Sequence, residues 1–315
     1  MRPTATIREV GLRDGLQLVK QFLPTAQKIE WCQEEVRAGL KEVEVSSFVP
    51  ATVVPQFADA AEVTAATLAI PGLNVAVLVP NYKGAVRAMD NGAHKVNYVL
   101  SASEMHNKAN VRRTTEESLE DFGRIVADRN TRGIKAKIVG GVATVFGCTL
   151  QGDVPESRVY EIVERLAKLG ADELIVADTV GYANPAQVKR IFTRILSLYS
   201  GPVYAHFHDT RGLGLANVTA AIDTGIRRFD ASIGGLGGCP FAPGASGNID
   251  TEDCAFLLES MGFDTGLDIE KLVILRNKVA AWFPDERVGG TIARAGLPKT
   301  FNKTFTPQQR STAAV

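Results

Sequence analysis

The 315-residue chain has only four cysteines, Cys32, Cys148, Cys239 and Cys254, and none are in C-x-x-C spacing. That excludes a disulfide-dense scaffold and the usual structural zinc site, and leaves reduced thiols as the expectation. Neither sign of charge is in excess, with 35 Lys+Arg against 35 Asp+Glu, and aromatics make up only 7%. With no basic stripe to track a phosphate backbone, nucleic acid is not expected as a partner, whereas a small anionic substrate is compatible. No run approaches the ~18 apolar residues of a membrane span, and the stretch Met1–Glu9 lacks the apolar region of a secretory signal. A cytoplasmic protein without membrane attachment is expected.

What is present is alternation. Eight short apolar runs lie near Thr6–Val10, Glu42–Ser46, Asn74–Leu78, Lys95–Leu100, Ala136–Gly140, Glu173–Ala177, Val203–His206 and Arg228–Ile233, each followed by a polar or glycine-containing turn. Segments of helical period separate them. Pro24-Thr25 opens 26–38, Thr115 with Ser118 opens 116–130, Pro155 opens 156–169, and Pro185 opens 186–199. In the third of these, Val159, Ile162, Val163 and Leu166 form one apolar stripe at i, i+3, i+4, i+7. Eight βα units predict a (β/α)8 TIM barrel, a fold that commonly takes about 250 residues. Residues 268–283 add a helix beyond the eighth unit. The expected organisation is a catalytic barrel over 1–265, a C-terminal helical extension over 266–303 packed on it, and a flexible tail over 304–315.

In such a barrel chemistry sits at the C-terminal ends of the strands. The unusual residues fall there. Arg13 and Asp14 follow the first strand, Glu44 lies within the second, Asp178 and Thr179 follow the sixth, and His206 and His208 end the seventh. After the eighth comes 234–248, with six glycines in fifteen positions, the thiol of Cys239 and Asn248 at its end. Glycine is costly to order, so such a loop implies positive φ or close backbone approach. A His-x-His pair at a strand end turns both imidazoles to one side, where they can share a metal ion with a nearby carboxylate. Glu44 on a buried strand needs a cation, and Arg13 is the expected partner. No lysine follows the glycines before residue 271, which argues against a nucleotide-phosphate loop.

At these residues the chain resembles a known family. The segments Arg13–Gln17, Glu44–Phe48, His206–Thr210, Ser232–Phe241 and Gly244–Asp253 are similar to those of 3-hydroxy-3-methylglutaryl-CoA lyases, metal-dependent TIM-barrel enzymes, over residues 5 to 280. The resemblance implies that Asp14, His206, His208 and Asn248 hold one divalent cation, Mg²⁺ or Mn²⁺. It implies an acyl-CoA thioester substrate, retro-Claisen cleavage to acetyl-CoA and acetoacetate or a related 3-oxo acid, a place in leucine degradation, and a homodimer as a possible assembly. Arg13 is then expected to stabilise the enolate oxygen, Cys239 to protonate the enolate carbon, and Glu44 to orient Arg13. Gln17, Thr179 and Asp178 are expected around the substrate, and either His206 or Asp14 is expected as base. Three departures bear on the acyl group: Leu12 where Pro is common, Leu18-Val19 in place of Asn-Glu, and Arg211 in place of a frequent Tyr. Two alternatives remain: the same reaction on another branched 3-hydroxyacyl-CoA, and a condensing acyltransferase or aldolase on the same barrel.

Overall fold

Aliphatic residues covered on both faces drive the apolar runs into one parallel sheet. A computed structural model describes residues 2–238 and 247–301. The strands are β1 (Thr6–Glu9), β2 (Glu42–Ser47), β3 (Asn74–Val79), β4 (Lys95–Ser101), β5 (Lys137–Ala143), β6 (Glu173–Asp178), β7 (Val203–Phe207) and β8 (Arg228–Ala231). They pair in chain order, and β1 closes on β8 with Thr6 opposite Arg228 and Glu9 opposite Ala231. The expected TIM barrel is the observed fold. β5 starts one residue later than expected and extends to Ala143, whereas β8 stops at Ala231 because the glycine turn begins there.

Around the strands lie α1 (Thr25–Arg37), α2 (Ala60–Leu68), α3 (Tyr82–Asp90), α4 (Glu104–Val111), α5 (Thr115–Thr131), α6 (Glu156–Leu169), α7 (Pro185–Leu198), α8 (Gly214–Thr224), α9 (Thr251–Ser260), α10 (Ile269–Trp282) and α11 (Thr291–Ala295). The stripe Val159, Ile162, Val163, Leu166 on α6 is wholly buried against the sheet. One helix start differs from expectation. Thr114, not Thr115, caps α5, in a reciprocal box with Glu117, because the Thr115 hydroxyl is buried and donates to the Ser101 carbonyl. The additional helix is α10. It packs on α1, with the Trp31 and Trp282 rings 6.3 Å apart and Lys278 paired with Glu30. The expected tail over 304–315 lies outside the described residues. No described helix is long and apolar enough to cross a membrane.

The barrel interior is charged where aliphatic layers are usual. The first residues of β2, β4, β6 and β8 are Glu42, Lys95, Glu173 and Arg228, two acids and two bases forming one layer. Lys95 Nζ lies 2.8 Å from Glu42 Oε2 and 2.6 Å from Glu173 Oε2. Contacts between alternate strands are possible only through the barrel's inside. Burial disfavours the Lys95 charge, yet Glu42 and the other neighbours raise its pKa overall. The next layer up from the same strands is Glu44, Asn97, Ile175 and Asp230, which floors the cavity above.

Candidate active site

Arg13 and Asp14 sit on a wide helical turn directly after β1, in which the N–H groups of Arg13, Asp14 and Gly15 all converge on the Val10 carbonyl. Such widened turns recur at functional sites because they push side chains outward from the strand end. Here the turn sends Arg13 toward β2 and Asp14 toward β7. Arg13 Nε donates to Glu44 Oε2, and Arg13 Nη1 donates to Asp14 Oδ1 at 2.6 Å. The other oxygen of Glu44 accepts from Asn97 Nδ2 at 2.7 Å. Burial opposes the guanidinium's charge, but Glu44 and then Asp14 lift its pKa above the ordinary arginine value. Burial would likewise raise the Asp14 carboxyl, but Arg13 above all, with both histidines, holds it far below the usual carboxylate range.

His206 and His208, two apart at the end of β7, face the same side. Their Nε2 atoms are 3.2 Å apart, and Asp14 Oδ2 lies 3.4 Å from that of His208 and 4.0 Å from that of His206. Donors on adjacent octahedral positions about 2.1 Å from an ion are about 3 Å apart, so this spacing suits one cation. Asp14, His206 and His208 form the metal-capable group among the described residues. On the far side of His206, Nδ1 lies 3.1 Å from Asp230 Oδ2. Arg8 grips Asp230 with two hydrogen bonds, Nε to Oδ1 at 2.9 Å and Nη2 to Oδ2 at 2.7 Å. With Nδ1 protonated toward Asp230, the Nε2 lone pair of His206 points into the cluster.

Asn248 arrives from the far end of the glycine segment. A bridge between His208 and Asn248, with Ile249 N donating to the Phe207 carbonyl at 3.2 Å, lays this stretch along the end of β7. Its Nδ2 donates to Asp14 Oδ2 at 2.8 Å, while its buried Oδ1 has no hydrogen-bond partner among the described residues. An orphaned acceptor beside two imidazoles and a carboxylate is what a cation would satisfy. The glycines here answer to close approach. A Cβ on Gly247 would lie 1.9 Å from the Gly235 carbonyl oxygen, and one on Gly237 would lie 2.8 Å from Asn248 Nδ2. Cys239 lies outside the described residues.

A family model described as HMGL-like matches residues 4–279. The chain belongs to the HMGL-like family. It is 40% identical over 293 residues to the hydroxymethylglutaryl-CoA lyase of Bacillus subtilis (strain 168), covering 93% of this chain and 96% of that one. It is 40% identical over 270 residues to the mitochondrial hydroxymethylglutaryl-CoA lyase of Bos taurus, covering 85% and 82%. The structure of an HMG-CoA lyase from Acinetobacter baumannii in complex with coenzyme A and 3-methylmalate matches with a TM-score of 0.89 at 42% identity, over 95% of this chain and 97% of that chain. This HMGL-like chain is accordingly a carbon–carbon lyase of the hydroxymethylglutaryl-CoA lyase type.

One cavity of about 450 Å³ joins these parts. Arg13, Asp14, Gln17, Glu44, Thr179, His206 and His208 line it. Asp178 is buried beneath the rim and is not among the lining residues. Its Oδ1 accepts from Tyr182 N at 2.7 Å, and burial raises its pKa although His208 lies close enough to oppose this. Of the departures from the resembled family, Leu12 and Val19 are core, whereas Leu18 faces the cavity. Arg211 donates to the carbonyls of Val180 and Gly181 and lies over the Tyr182 ring at 4.5 Å, tying two rim segments together. Sequence reasoning missed Asp230, Arg8 and Asn97. The signal that found Glu44, a polar side chain on a buried parallel strand, applies equally to all three.

Proposed function

We propose that this chain cleaves a 3-hydroxy-3-methylglutaryl-CoA-like thioester by a divalent-metal-dependent retro-Claisen reaction, giving acetyl-CoA and acetoacetate or a related 3-oxo acid. The observation that carries the reading is the convergence of Asp14, His206 and His208 on one point of a cavity that also holds the Glu44-clamped Arg13. Asp14, His206, His208 and Asn248 would hold the cation. Carboxylate, imidazole and amide donors without a thiolate suit Mg²⁺ or Mn²⁺. When bound, it supplies Lewis-acid polarisation of the substrate's hydroxyl and a fixed anchor for its oxygens.

The chain's own groups divide the proton transfers. Asp14 or His206 takes the hydroxyl proton as the carbon–carbon bond breaks. The bonding electrons pass to the thioester, where Arg13 meets the enolate oxygen with a charge-assisted hydrogen bond. The Cys239 thiol then protonates the enolate carbon and regains a proton from the Asp14 side. Gln17 and Thr179 contact the acyl group, and Asp178 orients groups near the histidines from below. Cytoplasmic location, a role in leucine degradation and a homodimer belong to the same proposal, the last checked by sedimentation at micromolar concentration.

Assay of the chain with the thioester and Mg²⁺ or Mn²⁺ tests the reading: acetyl-CoA release abolished by chelation and restored by the metal is expected, and no release under any of these conditions refutes it. Cys239→Ser should lose about tenfold to a hundredfold in kcat with Mn²⁺ affinity intact. Water can still quench an enolate, so the loss is smaller than the full effect of a positioned acid. Unchanged turnover would remove the thiol from the mechanism. Asp230→Asn should weaken Mn²⁺ binding by about 10–100-fold, because the amide no longer fixes the His206 tautomer. An electron paramagnetic resonance titration with an unaltered dissociation constant would discard that role.

A further inference from the structure

The lining of the cavity is of two kinds. Polar groups gather around Arg13, and an apolar wall of Leu18, Val49, Val53, Val54 and Phe57 comes from the segments after β1 and β2. Leu18 is 43% and Val53 68% exposed. Of the eight exposed large hydrophobic side chains among the described residues, Leu18 and Val53 line this cavity. Apolar surface collected at a site's mouth is unfavourable in water and favourable once a ligand covers it.

The wall's chemistry discriminates between parts of the substrate. The backbone N–H groups of Val53 and Val54 are bonded to the Pro50 carbonyl, and that of Phe57 to the Val54 carbonyl. The N–H groups of these three residues are therefore taken and not offered to the carbonyls of a pantetheine arm. The wall suits a hydrocarbon, and the single methyl of a methylglutaryl group is too small to cover it. Leu18 follows Gln17 in the segment that carries Arg13, so the wall joins the polar part of the lining.

We infer that the wall formed by Leu18, Val49, Val53, Val54 and Phe57 seats an aliphatic substituent larger than methyl on the hydroxyl-bearing carbon, making 3-hydroxy-3-alkylglutaryl thioesters the substrate class. The inference rests on the lyase reading above. The reaction is unchanged: the hydroxyl proton ends on the acetyl-CoA methyl, and the alkyl group leaves with the 3-oxo acid.

The test compares the CoA thioesters of 3-hydroxy-3-methylglutarate and 3-hydroxy-3-butylglutarate, with the full chain and Mg²⁺ or Mn²⁺, following acetyl-CoA. The butyl compound should be cleaved with a kcat/KM at least equal to that of the methyl compound, gaining about fourfold for each methylene seated. Val53→Trp, at a position exposed enough to leave folding intact, should lower the butyl-to-methyl ratio of kcat/KM at least tenfold. The same ratio change should appear with N-acetylcysteamine thioesters, which lack most of the arm. If Val53→Trp slows both acyl groups alike with CoA and neither with the truncated thioesters, the wall holds the arm and the inference falls. Cleavage of the methyl but not the butyl compound by the unaltered chain also overturns it, while leaving the lyase reading standing. Failure to cleave either compound overturns both.

Discussion

Replacing Arg13 with Met is expected to lower kcat by a factor of about 10²–10³, the usual cost of removing a preorganised donor aimed at developing negative charge. The guanidinium is already fixed before substrate arrives, since Glu44 takes Nε and Asp14 takes Nη1. Little reorganisation is therefore needed when the enolate forms. The same clamp complicates the experiment, because Met leaves Glu44 and Asp14 buried without their cation. Arg13→Lys separates the effects. An ammonium restores the charge but cannot present the planar fork to Glu44 and Asp14 together, so Mn²⁺ affinity should stay within a few-fold of normal while kcat remains depressed. Turnover near that of the unaltered chain in Arg13→Met would remove the guanidinium from catalysis. Loss of Mn²⁺ binding in Arg13→Lys equal to the loss of turnover would make Arg13 a support for the metal group alone.

Lys95→Met should cost about 3 kcal/mol of folding stability, the lower end of the range for removing one partner of a buried ion pair. The lower end applies because neither acid is left wholly alone. Glu173 keeps Lys137 at 2.9 Å, and Glu42 keeps the Tyr204 hydroxyl at 3.2 Å and Asn74 Nδ2 at 2.9 Å. Urea unfolding measures the loss directly, and adding Glu173→Gln to Lys95→Met should recover part of it by removing the charge left over. Because this layer lies below the cavity floor of Glu44, Asn97, Ile175 and Asp230, Mn²⁺ affinity should not change. A stability difference under about 0.5 kcal/mol would show that the layer is not tightly coupled to folding.

The His206–His208 pair, the Glu44–Arg13 partnership and the glycine-rich return to Asn248 were legible because each leaves a local mark: period two, a charge on a buried strand, a run of residues without Cβ. The distances within the cation-capable group were not. Asp14 and Asn248 are separated by 234 positions, yet the amide of one bonds the carboxylate of the other. Closure of β1 on β8 makes them neighbours. Asp230 and Arg8 carry the same local mark as Glu44, a charge on a buried strand, but only the β1–β8 register, which sets Arg8 opposite Asp230, shows that the two meet.

The eight βα units, the rim on which the unusual residues stand and the family to which their segments are similar could all be read from the chain's local pattern. These are consequences of short-range period, turn chemistry and residue type, which need no partner to be read. Which charges meet inside the barrel, that Leu18 faces the cavity while Leu12 and Val19 are core, and that Arg211 braces the rim emerge only once the barrel closes. Those outcomes depend on which strands become neighbours and how far each side chain reaches across the closed sheet. They are set by long-range packing and electrostatics, to which no single stretch of the chain has access.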